Sequence, residues 1–96
     1  MTTEKLIQLA NLYLGFVTLP DSVPRRVDPA SVWSDLPFEK IFGHLAWMCE
    51  HIIKNAKSEP EKMQRWLGFV QGVLCSKGTF TIEQLRSHNS EEMSIP

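Results

Sequence analysis

A chain of 96 residues with 43% hydrophobic and 22% charged residues has material for one core, which buries about two thirds of the unfolded surface, and none for a second. That balance excludes wholesale disorder. A formal net charge of −1 excludes the broad basic footprint of a general nucleic-acid or membrane-surface binder, leaving only local patches.

Thr3 is placed to cap a first helix, in which Leu6, Ile7, Ala10, Tyr13, Leu14 and Val17 recur with i, i+3, i+4, i+7 spacing. Leu9 and Leu12 fall off that stripe, so this helix is apolar over more than one face and is expected to be covered on two sides. Residues 1–17 carry one acidic residue, one lysine and no small-residue cleavage site, and do not read as a signal peptide. No apolar run approaches the ~20 residues of a membrane span, so no membrane association is expected.

The pattern collapses over residues 18–35, where Pro20, Pro24 and Pro29 block regular structure and favour an extended path. A connector this long in so small a domain is expected either to wrap onto the core or to be functional, and Val32 and Trp33 offer it apolar anchors.

Ser34 or Asp35 is positioned to cap a second helix reaching about Ala56, with Pro37 in its first turn. Its core stripe reads Phe38, Ile41, Phe42, Leu45, Cys49, Ile52 and Ile53. A third helix is expected to open at a capping box over residues 58–61, from Ser58 to Glu61, and to stop near Gly78 just after the favourable cation Lys77. Met63, Trp66, Leu67, Val70, Val73 and Leu74 would be its buried face. A second capping box, Thr81 with Gln84, signals a short fourth helix ending around His88 or Asn89, with Phe80 and Leu85 spaced as a hydrophobic staple. Residues 90–96 are expected to fray. The expected fold is all-α, a small bundle of three main helices plus a short C-terminal helix, in a single domain over residues 1–89.

Gly68 and Gly72 lie one turn apart in the most strongly helical stretch, residues 65–74, where each costs roughly 1 kcal/mol relative to alanine. Close approach by another segment would offset that cost, through internal helix packing, a homodimer seam or a foreign partner; the spacing alone does not choose. On the second helix, Trp47 points away from the core stripe among Lys40, Gly43, His44, His51 and Lys54. Either the first helix or the connector covers it, or it is a binding hot spot. The candidate binding residues are therefore Lys40, His44 and Trp47 on the second helix and Arg65, Gly68, Gln71 and Gly72 on the third. Arg25 and Arg26 in the connector, with Lys40, Lys54 and Trp47, form an alternative basic-aromatic patch able to hold phosphates and stack a base.

Chemistry is poorly represented. Cys49 and Cys75 are too few for a disulfide framework and read as reduced thiols in or near the core, which fits a reducing cytosol. His44, Cys49, His51, Cys75 and His88 show no paired ligand spacing, and His44 and His51 lie two turns apart, roughly 10 Å. No metal or cofactor is expected. Glu59 and Glu61 read as helix-start residues, and Glu50 sits beside a cation-rich face. With no nucleophile elbow and no phosphate-cradling glycine loop, no enzyme is expected either.

Residues 44–52 (HLAWMCEHI) and 61–89 (EKMQRWLGFVQGVLCSKGTFTIEQLRSHN) resemble a widespread group of small proteins encoded by tailed bacteriophages and prophages. The resemblance is carried mainly by Arg65, Trp66, Leu67, Gly68, Gln71 and Gly72, and by Thr81, Ile82, Glu83 and Leu85 at the fourth helix start. It implies a phage gene product acting in the bacterial cytoplasm and brings no activity that transfers residue by residue. Together with the two-faced central helices, it leads to the expectation of a non-enzymatic protein that binds a host or phage protein and modulates host replication, repair, transcription or antiviral defence. The alternative is a phage DNA replication or recombination accessory factor that touches nucleic acid.

Overall fold

The computed structural model of the chain describes residues 1–20 and 23–90. Four α-helices follow one another, α1 (Thr3–Val17), α2 (Phe38–Asn55), α3 (Pro60–Ser76) and α4 (Ile82–Asn89), with a single 3-10 turn (Trp33–Asp35) ahead of α2 and no strand among the described residues. The chain thus forms the all-α bundle of three main helices and a short fourth that its periodicity predicts. No helix among the described residues is long and apolar enough to cross a membrane.

The core forms because α1 packs against both α2 and α3. Leu6, Tyr13 and Val17 are buried on α1, and of the two residues off its stripe Leu9 is buried and Leu12 partly buried. A helix touching two neighbours needs apolar side chains over a wider arc than one stripe provides. Leu45, Cys49 and Ile52 from α2 and Met63, Leu67, Val70 and Leu74 from α3 complete the dry interior.

Helix starts depart from expectation at three places. The cap of α1 is Thr2, whose hydroxyl accepts from the Lys5 amide, so the boundary lies one residue before the expected Thr3. Asp35 belongs to the 3-10 turn and α2 starts after Pro37 without a side-chain cap, so neither Ser34 nor Asp35 caps it. The box expected over residues 58–61 does not form either: Ser58 donates back to the Asn55 carbonyl, and α3 begins at Pro60, whose fixed φ suits a first helical position. The box at α4 does form, with Thr81 and Gln84 exchanging both bonds.

The end of α3 follows the local rule. Gly78 takes φ +77°, and the amides of Gly78 and Thr79 donate back to the carbonyls of Cys75 and Leu74, the paired bonds of a Schellman motif. That turn sends α4 back across α1 and α3, where buried Leu85 docks. A polar clasp holds its far end. The Tyr13 hydroxyl bonds the His88 Nδ1 at 2.9 Å, Gln71 exchanges both amide bonds with Asn89, and Lys5 donates to the Ser90 carbonyl. Apart from Ser90, the tail expected to fray lies outside the described residues.

The connector is fastened to α2 along its outer side. The Arg25 amide donates to the Gly43 carbonyl, and the Val27 amide donates to the His44 Nδ1 at 3.0 Å. This fastening needs a glycine, because a Cβ at position 43 would stand 2.8 Å from the Val23 carbonyl oxygen. Of the two expected anchors only Trp33 serves; Val32 is 61% exposed.

Candidate functional site

Helical spacing builds two facing rows of rings. On α2, His44, Trp47 and His51 follow at i, i+3 and i+7, and on α3, Lys62, Trp66 and Phe69 follow at i, i+4 and i+7, so each set lines one side of its helix. The rows meet where α2 and α3 run together. Trp47 and Trp66 lie 5.5 Å apart by ring centroids, and His51 stacks on Trp66 at 4.7 Å with planes 23° apart. His44 and His51 each lie 5.6 Å from Trp47.

The connector closes the arrangement from outside. The Arg26 guanidinium sits over the Trp47 ring at 5.7 Å, as the Lys62 ammonium sits over Trp66. Trp33 meets His44 at 5.3 Å and Phe69 at 5.5 Å, edge to face in both cases. Six rings from three segments thus form one continuous surface, with Phe69 at its rim, 47% exposed. Each aromatic ring pair contributes about 0.5–1.5 kcal/mol beyond its buried area and each exposed cation–ring contact about 0.5–1 kcal/mol, and both help hold the seam together. Between the rows opens a groove of about 420 Å³, lined by Arg26, Lys62, both indoles and both imidazoles. A second cavity of about 390 Å³ lies under the connector, where Arg25, Arg26 and Lys40 converge with Asp28 and Glu39.

His44 fastens the connector through an unprotonated ring nitrogen. His44 accepts the Val27 amide at Nδ1, which requires that nitrogen to be unprotonated, and its pKa is lowered by burial and then by nearby Arg26. His88 is lowered by burial and then by Lys5. Burial pushes the Cys49 thiol up to about 12, so it stays protonated and is a poor nucleophile at neutral pH. Among the described residues, no three His, Cys, Asp or Glu side chains stand close enough to hold a metal ion.

The expected binding residues separate into four places. His44 and Trp47 belong to the seam, where the connector's Arg26 and helix α3 cover Trp47 in part. Lys40 lines the second cavity with Arg25 and Arg26, while Lys54 lines neither. Arg65, Gly68 and Gly72 face solvent on the outer side of α3. No described residue lies within 4 Å of a Cβ built on either glycine, so the internal helix packing considered for them does not occur among the described residues. Gln71 is a correction as well. It is buried, donating to the Tyr13 hydroxyl and to Asn89, and so it holds α4 rather than a partner.

Trp66 and Val73, expected in the buried face of α3, are both half-buried, and Gln71 occupies the buried arc instead. Trp33, Lys62 and Phe69 were missed as site residues. The 62–66–69 spacing was the available signal, a ring-bearing row set apart from the leucines. Comparison with protein-family models, curated proteins and solved structures returns no match to this chain.

Proposed function

We propose that this chain is a non-enzymatic interaction protein that docks a partner protein on the aromatic seam between α2 and α3. One observation carries the reading. Three tryptophans packed against the outside of the buried core join His44, His51 and the exposed Phe69 in one partly exposed ring cluster, and Trp47, Trp66 and both of these histidines line an open groove within it. Protein interfaces concentrate tryptophan and arginine in this way, with a few aromatic anchors carrying most of the affinity. Arg65, Gly68 and Gly72 offer a further exposed patch on the outside of α3, where bare glycine backbone lets a second chain approach closely. The resemblance of residues 44–52 and 61–89 to phage proteins supplies the setting: an accessory factor acting in the cytoplasm of an infected bacterium on a host process.

Phe69→Ala tests the reading, because the ring is exposed and its removal leaves the core intact. Retention of a partner from infected-cell lysate on immobilised protein should fall by about tenfold or more, the loss typical of an interface anchor. Unchanged retention would remove the seam from the interface.

A second reading follows from the convergence of Arg25, Arg26 and Lys40 in one cavity beside Trp47. Such an arrangement suits a phosphate backbone with an adjacent ring, the contact a replication or recombination accessory factor would make. Nuclease-sensitive, salt-dependent retention would favour it.

A further inference from the structure

The groove carries a chemical signature more specific than its shape. Among the described residues, Arg26 and Lys62 are the permanently charged groups lining it and no carboxylate lines it, on a chain whose formal charge is −1. Lys62 also reaches Glu59, at 3.7 Å, but both side chains are substantially exposed and such a pair contributes little. Two positive charges therefore face the groove, each held by a ring, Arg26 over Trp47 and Lys62 over Trp66.

Resting on the docking reading above, we propose that the occupant of this groove is an acidic segment of a partner protein whose aliphatic or aromatic residues alternate with Asp or Glu. Its carboxylates pair with Arg26 and Lys62, and its apolar side chains lie against the indole edges and Phe69. Charge complementarity of this kind sets which partners are accepted and how fast they associate. The same geometry disfavours a nucleic acid. His51 stacks on both Trp47 and Trp66, and each of those indoles also has a cation over its ring, so a base would have to displace existing contacts to stack. Two cations neutralise only about two phosphates, too few for strong backbone binding at physiological salt.

The test uses the intact chain and three fluorescent probes read by anisotropy: a peptide of about a dozen residues alternating Glu with Leu and Phe, its Lys-for-Glu counterpart, and a single-stranded oligothymidylate. The acidic peptide should bind at least roughly tenfold tighter than the lysine peptide, weaken with added salt, and lose roughly tenfold in affinity with the double substitution Arg26→Gln, Lys62→Gln. Both positions are exposed, and far-ultraviolet circular dichroism of the variant checks that the fold is kept. Equal binding of the two peptides, with Phe69→Ala weakening both, would overturn the acidic assignment and leave the docking surface standing. Tighter binding of the oligothymidylate would overturn both. Absence of binding by all three probes would overturn the acidic assignment, while Phe69→Ala retention separately decides the docking surface.

Discussion

Gly43 stands where the connector crosses α2, and a Cβ there would meet the Val23 carbonyl oxygen at 2.8 Å. Gly68 and Gly72 stand on the open side of α3. Alanine gains about 1 kcal/mol of helix propensity at all three, but at Gly43 the crowding of a close backbone contact costs about 1–3 kcal/mol. Chemical denaturation should therefore show Gly68→Ala and Gly72→Ala each stabilised by up to about 1 kcal/mol and Gly43→Ala destabilised by about 1 kcal/mol net. Faster tryptic cleavage after Arg25 and Arg26 in Gly43→Ala would show the connector loosened; unchanged cleavage with raised stability would contradict the contact. Gln71 is a different case, since its amide serves the Tyr13 hydroxyl and Asn89 inside the protein. Gln71→Ala should cost about 1–3 kcal/mol through the polar groups left unmatched, measurable in the same unfolding experiment.

Among the elements, α4 depends most on tertiary support. With 8 residues it is too short to persist alone, and it is held by its capping box, by Leu85 and by the clasp to Tyr13, Gln71 and Lys5. Leu85→Ala should cost about 2 kcal/mol and raise amide hydrogen exchange in α4 well before exchange in α2; uniform loss of protection would show that α4 is not a separate unit. On the outer side of α3, Gly72→Leu has open space to occupy and should leave helicity and stability intact. Loss of partner retention or of self-association in that folded variant would place a second polypeptide against this face, and loss of folding would contradict the open position.

For the molecule as a whole, acid should be more damaging than alkali near neutrality. His44 receives the Val27 amide and His88 bonds the Tyr13 hydroxyl, and both have pKa values lowered from 6.5 in the fold. The unfolded chain then binds more protons than the native one just below that value, so stability is fully present above it and declines as pH falls through the native pKa values. Denaturation midpoints should be flat from pH 8 to about 7 and fall below about 6.5. His88→Gln should flatten part of the decline, and an unaltered profile would exclude His88 as a contributor. Both histidines hold peripheral segments, so the connector and α4 should loosen before the core opens.

Local signals were readable wherever structure depends on neighbours a few residues away. Helical periodicity marked all four helices, the Thr81 box and Gly78 were visible as caps, and three prolines marked the connector. The same locality misled at Ser58, where the hydroxyl found the Asn55 carbonyl instead of an α3 amide. Winding α2 also exposed Trp47 as a ring outside the core stripe. Periodicity cannot say which side chain of another helix will meet it, because that depends on how α2 and α3 are rotated against α1. The fold alone decided that Trp66 turns toward Trp47, that Gln71 takes the buried arc, that Arg26 reaches the indole, and that the glycine under close approach is Gly43. Those outcomes are contacts between segments far apart along the chain, chosen by packing and hydrogen-bond satisfaction in three dimensions, whereas helix type and helix ends follow from chemistry within a turn or two.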